Sequence, residues 1–241
     1  MEFYYTKKDN VNLLKKELHI DDFEFKHLVK VLRKKSGDEI TITDGQRNIY
    51  YCRIRKIEKN RLICDIERTG FNLSEPKTEL KLYLAPLRNS SRFEFAVEKT
   101  VELGVSSIHP VLTEHTVSKN SFSSSKSERL NRIIIGAMGQ SQRCLLPELK
   151  SAVTFEKMIE ETSGDAVKIV MYEYSDDKKQ FVFNGEIKRL SLLIGPEGGF
   201  SSNEIAMLME SDWQVKSLGD RKIRAETAAV VSVFDIINKL Y

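Results

Sequence analysis

Two glycine-bearing segments near the C-terminus carry the residues best suited to bind a ligand. The first reads LLIGPEGGFS over Leu192–Ser201, and the second reads LGDRKIRAETA over Leu218–Ala228. In each segment a short apolar run precedes the glycines, which predicts a buried strand that ends in a tight turn and opens a helix. Loops beyond the carboxyl ends of strands bind ligands in open α/β sheets. The two segments therefore predict one pocket built from two loops.

The loop residues favour some ligands over others. Neither segment contains G-x-x-x-x-G-K-[ST] or G-x-G-x-x-G, so nucleoside triphosphates and dinucleotides are less favoured ligands. The glycines of the first segment still allow a backbone to approach a ligand closely. A tight strand-to-helix turn that binds nothing would use glycine in the same way, and glycine content alone does not separate the two interpretations.

Elements of two kinds surround these segments. Over residues 1–72, short alternating strands and one helix predict a small β-barrel module, and Asp44-Gly45 is a strong hairpin signal. Asn72–Thr78 reads as a linker, and beyond it strands alternate with helices, which predicts a mostly parallel sheet over residues 73–241. The serine-rich stretch 118–127 predicts a loop. The terminal helix, Glu226–Leu240, is apolar on several sides, which indicates burial against the core or a partner subunit.

Composition and charge narrow the classes of protein. The chain has 241 residues, 41% hydrophobic and 30% charged, with no apolar run near the roughly 20 residues of a membrane helix and no signal-peptide pattern at its N-terminus. Three cysteines, an odd number without metal-like spacing, favour reduced thiols, a cytoplasmic location and no bound metal. Residues 1–72 hold 16 Lys/Arg and 12 Asp/Glu, whereas residues 73–241 hold 22 and 23. The basic excess predicts either a solvated face or a polyanion-binding surface.

Five ordered motifs resemble the 16S rRNA (uracil-N3)-methyltransferase family of the SPOUT class of RNA methyltransferases. The two glycine segments are similar to two family motifs, and Glu204-Ile205 extends the first. Upstream, HLVKVLR over His27–Arg33, the stretch from Phe93 to Pro110 and QSQR over Gln140–Arg143 are similar to three more. The resemblance covers most of the chain.

The resemblance implies both architecture and activity. It implies an α/β fold with a C-terminal SPOUT domain, whose mostly parallel sheet carries a deep trefoil knot, and a small N-terminal PUA-like β-barrel that binds RNA. It implies S-adenosyl-L-methionine as methyl donor, and a homodimer in which each site borrows residues from the partner. The substrate implied is a uridine in the decoding region of 16S rRNA, which we expect to be methylated at N3 on assembled small ribosomal subunits.

The resemblance also implies which residues form the site. Three loops of the family hold the cofactor, and here they correspond to Met171, Tyr172, Ile194, Gly195, Glu197, Gly198, Gly199, Leu218, Gly219, Ile223 and Ala225. Glu197 could instead only tie its loop down. Uridine N3 is protonated at neutral pH, so the reaction needs a base or a group that stabilises the imidate. Arg224 and Glu226 are the catalytic candidates, although Glu226 would also favour a helix start and could simply pair with Arg224.

Basic side chains in the motifs are candidates for RNA contact. The residues expected to bind RNA are His27, Lys30, Arg33, Arg88, Arg92 and Arg143. A structural role for His27, and helix capping by residues 140–143, remain open. The chain departs from the family pattern twice: Glu2-Phe3-Tyr4 lacks the usual N-terminal arginine, and Arg88-Asn89-Ser90-Ser91 replaces a K-G-D-like turn.

Three other functions fit parts of the same pattern. Another SPOUT enzyme would methylate a ribose 2′-hydroxyl or a different base with similar cofactor motifs. A non-catalytic RNA-binding factor for ribosome assembly would keep the basic barrel but show no turnover. A glycine-loop nucleotide enzyme is disfavoured by the missing lysine and G-x-G pattern.

Overall fold

The computed structural model describes residues 2–117, 123–177, 181–183 and 185–240. Residues 118–122 of the predicted serine-rich loop lie outside that range, and its last four residues, from Ser124, are helical rather than looped. The chain divides into two compact units. The N-terminal unit comprises Met1–Glu75 with Ile135–Leu146, and the C-terminal unit comprises Pro76–Ile134 with Pro147–Tyr241. Beyond the predicted division at 72/73, residues 135–146 thus join the N-terminal unit.

The N-terminal unit is a six-stranded sheet with one short helix. Its strands are β1 (Phe3–Tyr5), β2 (Val11–Asn12), β3 (Glu17–Ile20), β4 (Glu39–Thr43), β5 (Asn48–Ile57) and β6 (Leu62–Phe71). They lie in the order β1-β4-β5-β6-β3-β2, and every pairing except β1 with β4 is antiparallel. Helix α1 (Asp22–Lys26) follows β3 and continues as a π-helical turn over His27–Val31. This sheet agrees with the predicted succession of short strands.

Local sequence explains the hairpin between β4 and β5. Thr41 pairs with Tyr51 across the hairpin, and Asp44-Gly45 forms the turn, as the sequence predicts. The Asp44 carboxylate accepts hydrogen bonds from the Gln46 amide at 2.9 Å and the Tyr50 hydroxyl at 3.0 Å. Inward-facing apolar side chains of the sheet then pack with α1 into one core. Turn chemistry and alternation therefore specify the same register.

The C-terminal unit alternates strands and helices. Its strands are β7 (Glu79–Leu84), β8 (Ser107–Leu112), β9 (Glu148–Leu149), β10 (Val153–Thr154), β11 (Val167–Met171), β12 (Arg189–Ile194) and β13 (Gln214–Lys216). Its helices are α2 (Ser90–Leu103), α3 (Ser124–Gln140, whose last six residues belong to the N-terminal unit), α4 (Phe155–Glu161), α5 (Ser202–Glu210) and α6 (Ala225–Leu240). The sheet order is β10-β8-β7-β12-β11-β13, with β9 beside β8, and every pairing is parallel.

Helix ends in this unit follow from capping residues. Asn89 caps α2 by accepting a hydrogen bond from the Ser91 amide at 2.8 Å, and Gly104 ends α2 in a left-handed conformation, as predicted. Ser201 and Glu204 form a reciprocal capping box at the start of α5. These caps fix where each chain segment leaves the sheet, and so they fix the loops at its carboxyl edge.

Membrane-spanning helices, metal sites and the state of the cysteines each bear on function. Among the described residues, no helix is long and apolar enough to span a membrane. The same residues contain no group of three or more His, Cys, Asp or Glu side chains placed to hold a metal ion. All three cysteines are free thiols and buried, and burial raises the pKa of Cys52 to about 12 and of Cys144 to about 11.

Candidate functional site

A cavity of about 300 Å³ lies at the carboxyl ends of β11, β12 and β13. The two glycine segments and the loop after β11 form its walls. Ten of the eleven residues predicted to bind a cofactor line it: Met171, Tyr172, Ile194, Gly195, Glu197, Gly199, Leu218, Gly219, Ile223 and Ala225. The eleventh, Gly198, lies outside it. The predicted pocket built from two loops is therefore present, with a third loop completing it.

The parallel sheet explains why distant segments meet here. β12 pairs with β7 on one side and with β11 on the other, and β11 pairs with β13, so their following loops leave the same edge. Gly219 has φ +108°, a conformation that side-chain-bearing residues rarely adopt, and it lets the chain turn back beside the cavity. The Ser217 hydroxyl accepts a hydrogen bond from the Gly219 amide at 3.3 Å and holds this turn.

The cavity has apolar walls and a charged margin. Ile194, Phe200 and Ala228 contribute apolar surface, while Arg221 and Lys222 add cations that the sequence reasoning did not single out. Both cations lie inside the second glycine segment, so their place in that motif was the one sequence feature that could have predicted them. Lys222 Nζ is 3.6 Å from a carboxylate oxygen of Glu173, another lining residue. A small molecule with an apolar ring and a charged end matches this lining.

Glu197 both lines the cavity and holds a neighbouring loop. It lines the cavity, and its exposed carboxylate also accepts hydrogen bonds from the backbone amide of Arg88, at 3.1 and 3.3 Å. This contact joins the loop after β12 to the loop after β7. The alternative that Glu197 ties its loop down is thus supported by geometry, alongside its place in the cavity wall.

The two catalytic candidates occupy different environments. Arg224 lines the cavity, is exposed, and precedes the first residue of α6. Glu226 is buried in the first turn of α6 and does not line the cavity. Its Oε1 lies 3.6 Å from Nε of Arg92, and its Oε2 has no hydrogen-bond partner among the described residues. Glu226 thus faces α2, whereas Arg224 lines the cavity.

Gly198 borders a second cavity, of about 500 Å³, on the other side of the Glu197 loop. This cavity is lined by Arg88, Glu114, His115, Thr116, Val117, Glu197 and Gly198. The His115 ring lies against the glycine loop, with Nδ1 at 3.0 Å from the Gly198 carbonyl oxygen. No sequence motif marks His115, which is a single histidine after a strand.

The predicted RNA contacts of the N-terminal unit share one element. His27 begins the π-helical turn after α1, and its ring stacks on Phe23 with centroids 6.3 Å apart. Lys30 and Arg33 are exposed at and just after the end of that turn. The structure thus places one half-buried ring and two exposed cations on a single short segment. In the C-terminal unit, Arg88 is exposed and Arg92 is partly exposed.

The structure corrects the expectation that Arg143 contacts RNA. Its side chain is only 3% exposed and binds Glu75, with Nη2 at 2.8 Å and Nε at 3.2 Å from Oε2. The other Glu75 oxygen accepts the backbone amides of Cys144 and Leu145, each at 2.8 Å. A buried, multiply hydrogen-bonded pair of charges is structural, and a guanidinium so held is not free to reach a phosphate.

Known proteins resemble the chain along nearly its whole length. A family model described as an RNA methyltransferase domain matches residues 74–236, and one described as an RNA methyltransferase PUA domain matches residues 20–67. Ribosomal RNA small subunit methyltransferase E of Aquifex aeolicus is 30% identical over 98% of this chain and 99% of its own length. The predicted architecture, a mostly parallel α/β domain with an N-terminal PUA-like domain, is confirmed.

Two solved structures, both crystallised with the same small molecule, share this fold. The Neisseria gonorrhoeae ribosomal RNA small subunit methyltransferase E bound to S-adenosyl methionine superposes with a TM-score of 0.86 at 24% identity, covering 97% of this chain and 95% of that one. A putative methyltransferase of Legionella pneumophila, in complex with the same cofactor, gives a TM-score of 0.85 at 26% identity, with coverages of 96% and 94%.

Proposed function

This chain belongs to the RNA methyltransferase family, and from that premise we propose that it transfers a methyl group from S-adenosylmethionine to N3 of a uridine in the decoding region of 16S rRNA. The observation that carries the proposal is that ten of the eleven residues expected to bind the cofactor line one cavity. Relatives named as small-subunit rRNA methyltransferases, and similar structures that contain the cofactor, support the coarser part of the proposal, methyl transfer from S-adenosylmethionine to rRNA.

The cavity fits the chemistry of this cofactor. Adenine requires apolar walls and a few backbone hydrogen bonds, which Ile194, Leu218 and the glycine loops offer. When bound, the cofactor supplies an electrophilic methyl group on a positively charged sulfur. The residues of the chain hold it, exclude water and align it with the acceptor, since in-line alignment supplies much of the acceleration. Arg224, at the cavity margin, stabilises negative charge that develops on the uracil or holds a neighbouring phosphate.

Both units contribute to RNA binding in this proposal. His27, Lys30 and Arg33 on the N-terminal unit, and Arg88 and Arg92 on the C-terminal unit, contact the rRNA. Phosphate contacts from exposed cations give affinity that falls as salt concentration rises. Assembled small subunits are the preferred substrate, because tertiary structure presents a decoding-region uridine. The reaction takes place in the cytoplasm, and the three buried free thiols are compatible with a reducing compartment.

A homodimer is part of the proposal. Helices α2 and α6 pack against each other and still expose large apolar side chains: Phe95 is 46% exposed, Val231 42% and Phe234 54%. Val231 and Phe234 are three residues apart, so they lie on one face of α6. A second copy of the chain would cover that face. Light scattering on wild-type protein and a Phe234→Glu variant tests this, with dimer expected for the first and monomer for the second.

Methyl transfer to isolated small subunits that lack the modification tests the activity itself. Labelled S-adenosylmethionine and mass spectrometry of the digested nucleosides should give N3-methyluridine, and naked rRNA should give far less. A methylated ribose or another methylated base would keep the cofactor but change the acceptor. Absence of any product from folded, RNA-binding protein would favour a ribosome-assembly factor. The trefoil knot stays a prediction from the family resemblance.

A further inference from the structure

The second cavity lies beside the cofactor cavity along one edge of the sheet. Arg88 follows β7, His115 follows β8, and Glu197 and Gly198 follow β12. The cofactor cavity occupies the ends of β12, β11 and β13, and Glu197 lines both. The strand order β8-β7-β12-β11-β13 therefore places the two cavities side by side, with the loop after β12 as their common wall. A methyl donor and its acceptor need this adjacency.

His115 has a fixed orientation in this cavity. Its Nδ1 lies 3.0 Å from the Gly198 carbonyl oxygen and 3.2 Å from that of Gly199. Carbonyl oxygens only accept hydrogen bonds, so Nδ1 carries the hydrogen and donates it. In the neutral ring Nε2 then has the free lone pair and accepts. The exposed ring of His115 thus presents a hydrogen-bond acceptor that the fold has pre-oriented.

Gly198 permits this arrangement. A Cβ atom at position 198 would lie 3.1 Å from Cβ of His115, tighter than ordinary van der Waals contact. The second glycine of the loop thus allows the close approach of His115, and Gly198 lines the second cavity instead of the cofactor cavity. The same loop holds the Arg88 backbone through Glu197. Arg88 and His115, which line the second cavity, are therefore both held by the loop after β12, through Glu197 and Gly198 respectively.

We propose that this second cavity holds the acceptor uracil, and that Nε2 of His115 accepts the proton from N3. The inference rests on the proposed function. The N3–H bond breaks as N3 bonds to the methyl carbon, and the bond between sulfur and that carbon breaks with its electron pair left on sulfur. The proton passes to Nε2 and then to water. Arg88, in the same cavity, offsets the negative charge that the uracil oxygens gain.

Glu226 is less well placed for the same task. It lines neither cavity, and its Oε1 faces Arg92 at 3.6 Å. A general base must come within hydrogen-bond distance of the proton it removes. His115 lines the second cavity, where a bound uracil can come within that distance, whereas Glu226 is buried on the first turn of α6 and lines neither cavity.

Two substitutions test whether His115 acts as the base or only holds the glycine loop in place. His115→Asn places an amide N–H where Nδ1 donates to the glycine loop but removes Nε2, and His115→Gln offers a polar group near Nε2 that takes up no proton. In single-turnover reactions on small subunits we expect both to lose roughly 10²-fold or more in methylation rate. Cofactor binding, measured by calorimetry, and subunit binding, measured by filter retention, should stay at the wild-type level.

The matched control is Glu156→Gln, at an exposed site on α4, which should keep the wild-type rate. A wild-type rate in His115→Asn would overturn the proposal. Rate loss accompanied by equal loss of cofactor affinity would also count against it, because His115 would then act only by holding the cofactor loop. A cross-linking experiment tests, without these variants, whether the acceptor uracil lies in the second cavity.

Small subunits reconstituted with 5-bromouridine at the methylated position provide that cross-link. On irradiation we expect covalent attachment to the peptide that contains residues 114–117, and weaker attachment in Arg88→Ala, which keeps the Arg88 backbone amide. Attachment to a different segment would refute the cavity assignment even if methylation proceeds. Conversely, if the cross-link forms as expected but the digested nucleosides contain no methylated uridine, the proposed methylation is refuted and the uracil-binding site is retained.

Discussion

The two halves of the parallel strands in the C-terminal unit differ in how their polar side chains are satisfied. At the amino ends of the strands, the Asp165 side chain, just before β11, is 1% exposed and accepts hydrogen bonds from Lys81 Nζ at 2.9 and 3.1 Å and from the Ser191 hydroxyl. Next to it, the Ser107 hydroxyl and His109 Nε2 are 2.8 Å apart. Buried polar groups that are fully paired contribute to the stability and uniqueness of the fold.

The carboxyl end of the same sheet has the opposite character. The Arg224 side chain is exposed and has no hydrogen bond or ion pair among the described residues, and Glu226 Oε2 is buried without a hydrogen-bond partner. His115 and Arg88 extend from the loops beside them. The exposed Arg224 guanidinium and the unpartnered Glu226 Oε2 leave hydrogen-bonding capacity that a ligand at this edge can use, in contrast with the paired Asp165 at the other end.

Removing the Asp165 carboxylate should have the largest effect on stability. Asp165→Ala leaves Lys81 charged, 15% exposed and without its partner. Truncating one member of a buried ion pair typically costs about 3–5 kcal/mol, and we expect the free energy of unfolding in urea to fall by this amount. Cofactor affinity of the folded fraction should be unchanged, because Asp165 lies away from the carboxyl edge.

The double variant Lys81→Met/Asp165→Leu is the control for this prediction. Apolar replacement of a buried pair is often neutral, so the double variant should recover most of the stability that Asp165→Ala loses. Equal destabilisation in both variants would mean that packing, and not an uncompensated charge, dominates at this end of the sheet.

Arg224→Ala should show the reverse pattern, with a large loss of activity and little loss of stability. An exposed side chain contributes within about 0.5 kcal/mol to folding, so the unfolding midpoint should barely move. Loss of one charge-stabilising group costs roughly 10²–10³ in rate, which single-turnover methylation of small subunits would measure. Retained cofactor binding shows that the effect is on the acceptor side. A wild-type methylation rate for Arg224→Ala would show that Arg224 does not act on the acceptor, and it would weaken the contrast between the two ends of the sheet.

Acid should destabilise the paired half of the sheet through His109. Burial, followed by the charge of Lys81, lowers the pKa of His109 to about 4, below its value of about 6.5 in the unfolded chain. The unfolded state therefore takes up a proton first, and stability is lost as pH falls from about 6.5 to about 4. In urea titrations, His109→Gln should remove this loss of stability, which for a pKa difference of about 2.5 units amounts to roughly 3 kcal/mol. An unchanged slope would assign the acid sensitivity to other groups.

Much of the fold was predictable because local and long-range signals agree. The alternation around Asp44-Gly45, the Ser201 capping box and Gly104 each specify an element boundary that the structure confirms. The membership of residues 135–146 in the N-terminal unit was not predictable. It depends on Glu75 gathering the guanidinium of Arg143 and two amides, a contact between segments about 70 residues apart that no local pattern announces.

The candidate site was predictable where residues belong to a motif and not where they meet by folding. Eight of the ten predicted residues that line one cavity belong to the two glycine segments, and the family resemblance added Met171 and Tyr172 from a third loop. His115 was missed because its importance depends on the register of β8 beside β7, and of β7 beside β12, which brings the loop after β8 to Gly198. Arg143 was assigned wrongly for a related reason: an arginine in a motif is read as a surface cation until its buried partner is known.

Glu226→Gln should have a small effect on stability, in contrast with Asp165→Ala, and it separates the two candidates for the base. The substitution keeps the shape of the side chain but removes its negative charge. One carboxylate oxygen of Glu226 lies 3.6 Å from Nε of Arg92, and the other has no hydrogen bond among the described residues. A carboxylate in the first turn of a helix contributes about 0.3–1 kcal/mol, so we expect a loss within that range in urea unfolding. If Glu226 were the base, methylation would also fall by roughly 10² or more. With His115 in that role, the Glu226→Gln rate should stay within about tenfold of wild type, because only the positioning of Arg92 changes. A rate loss for Glu226→Gln as large as that for His115→Asn would contradict the assignment of His115 alone as the base, because the Glu226 carboxylate would then be needed for the proton transfer as well.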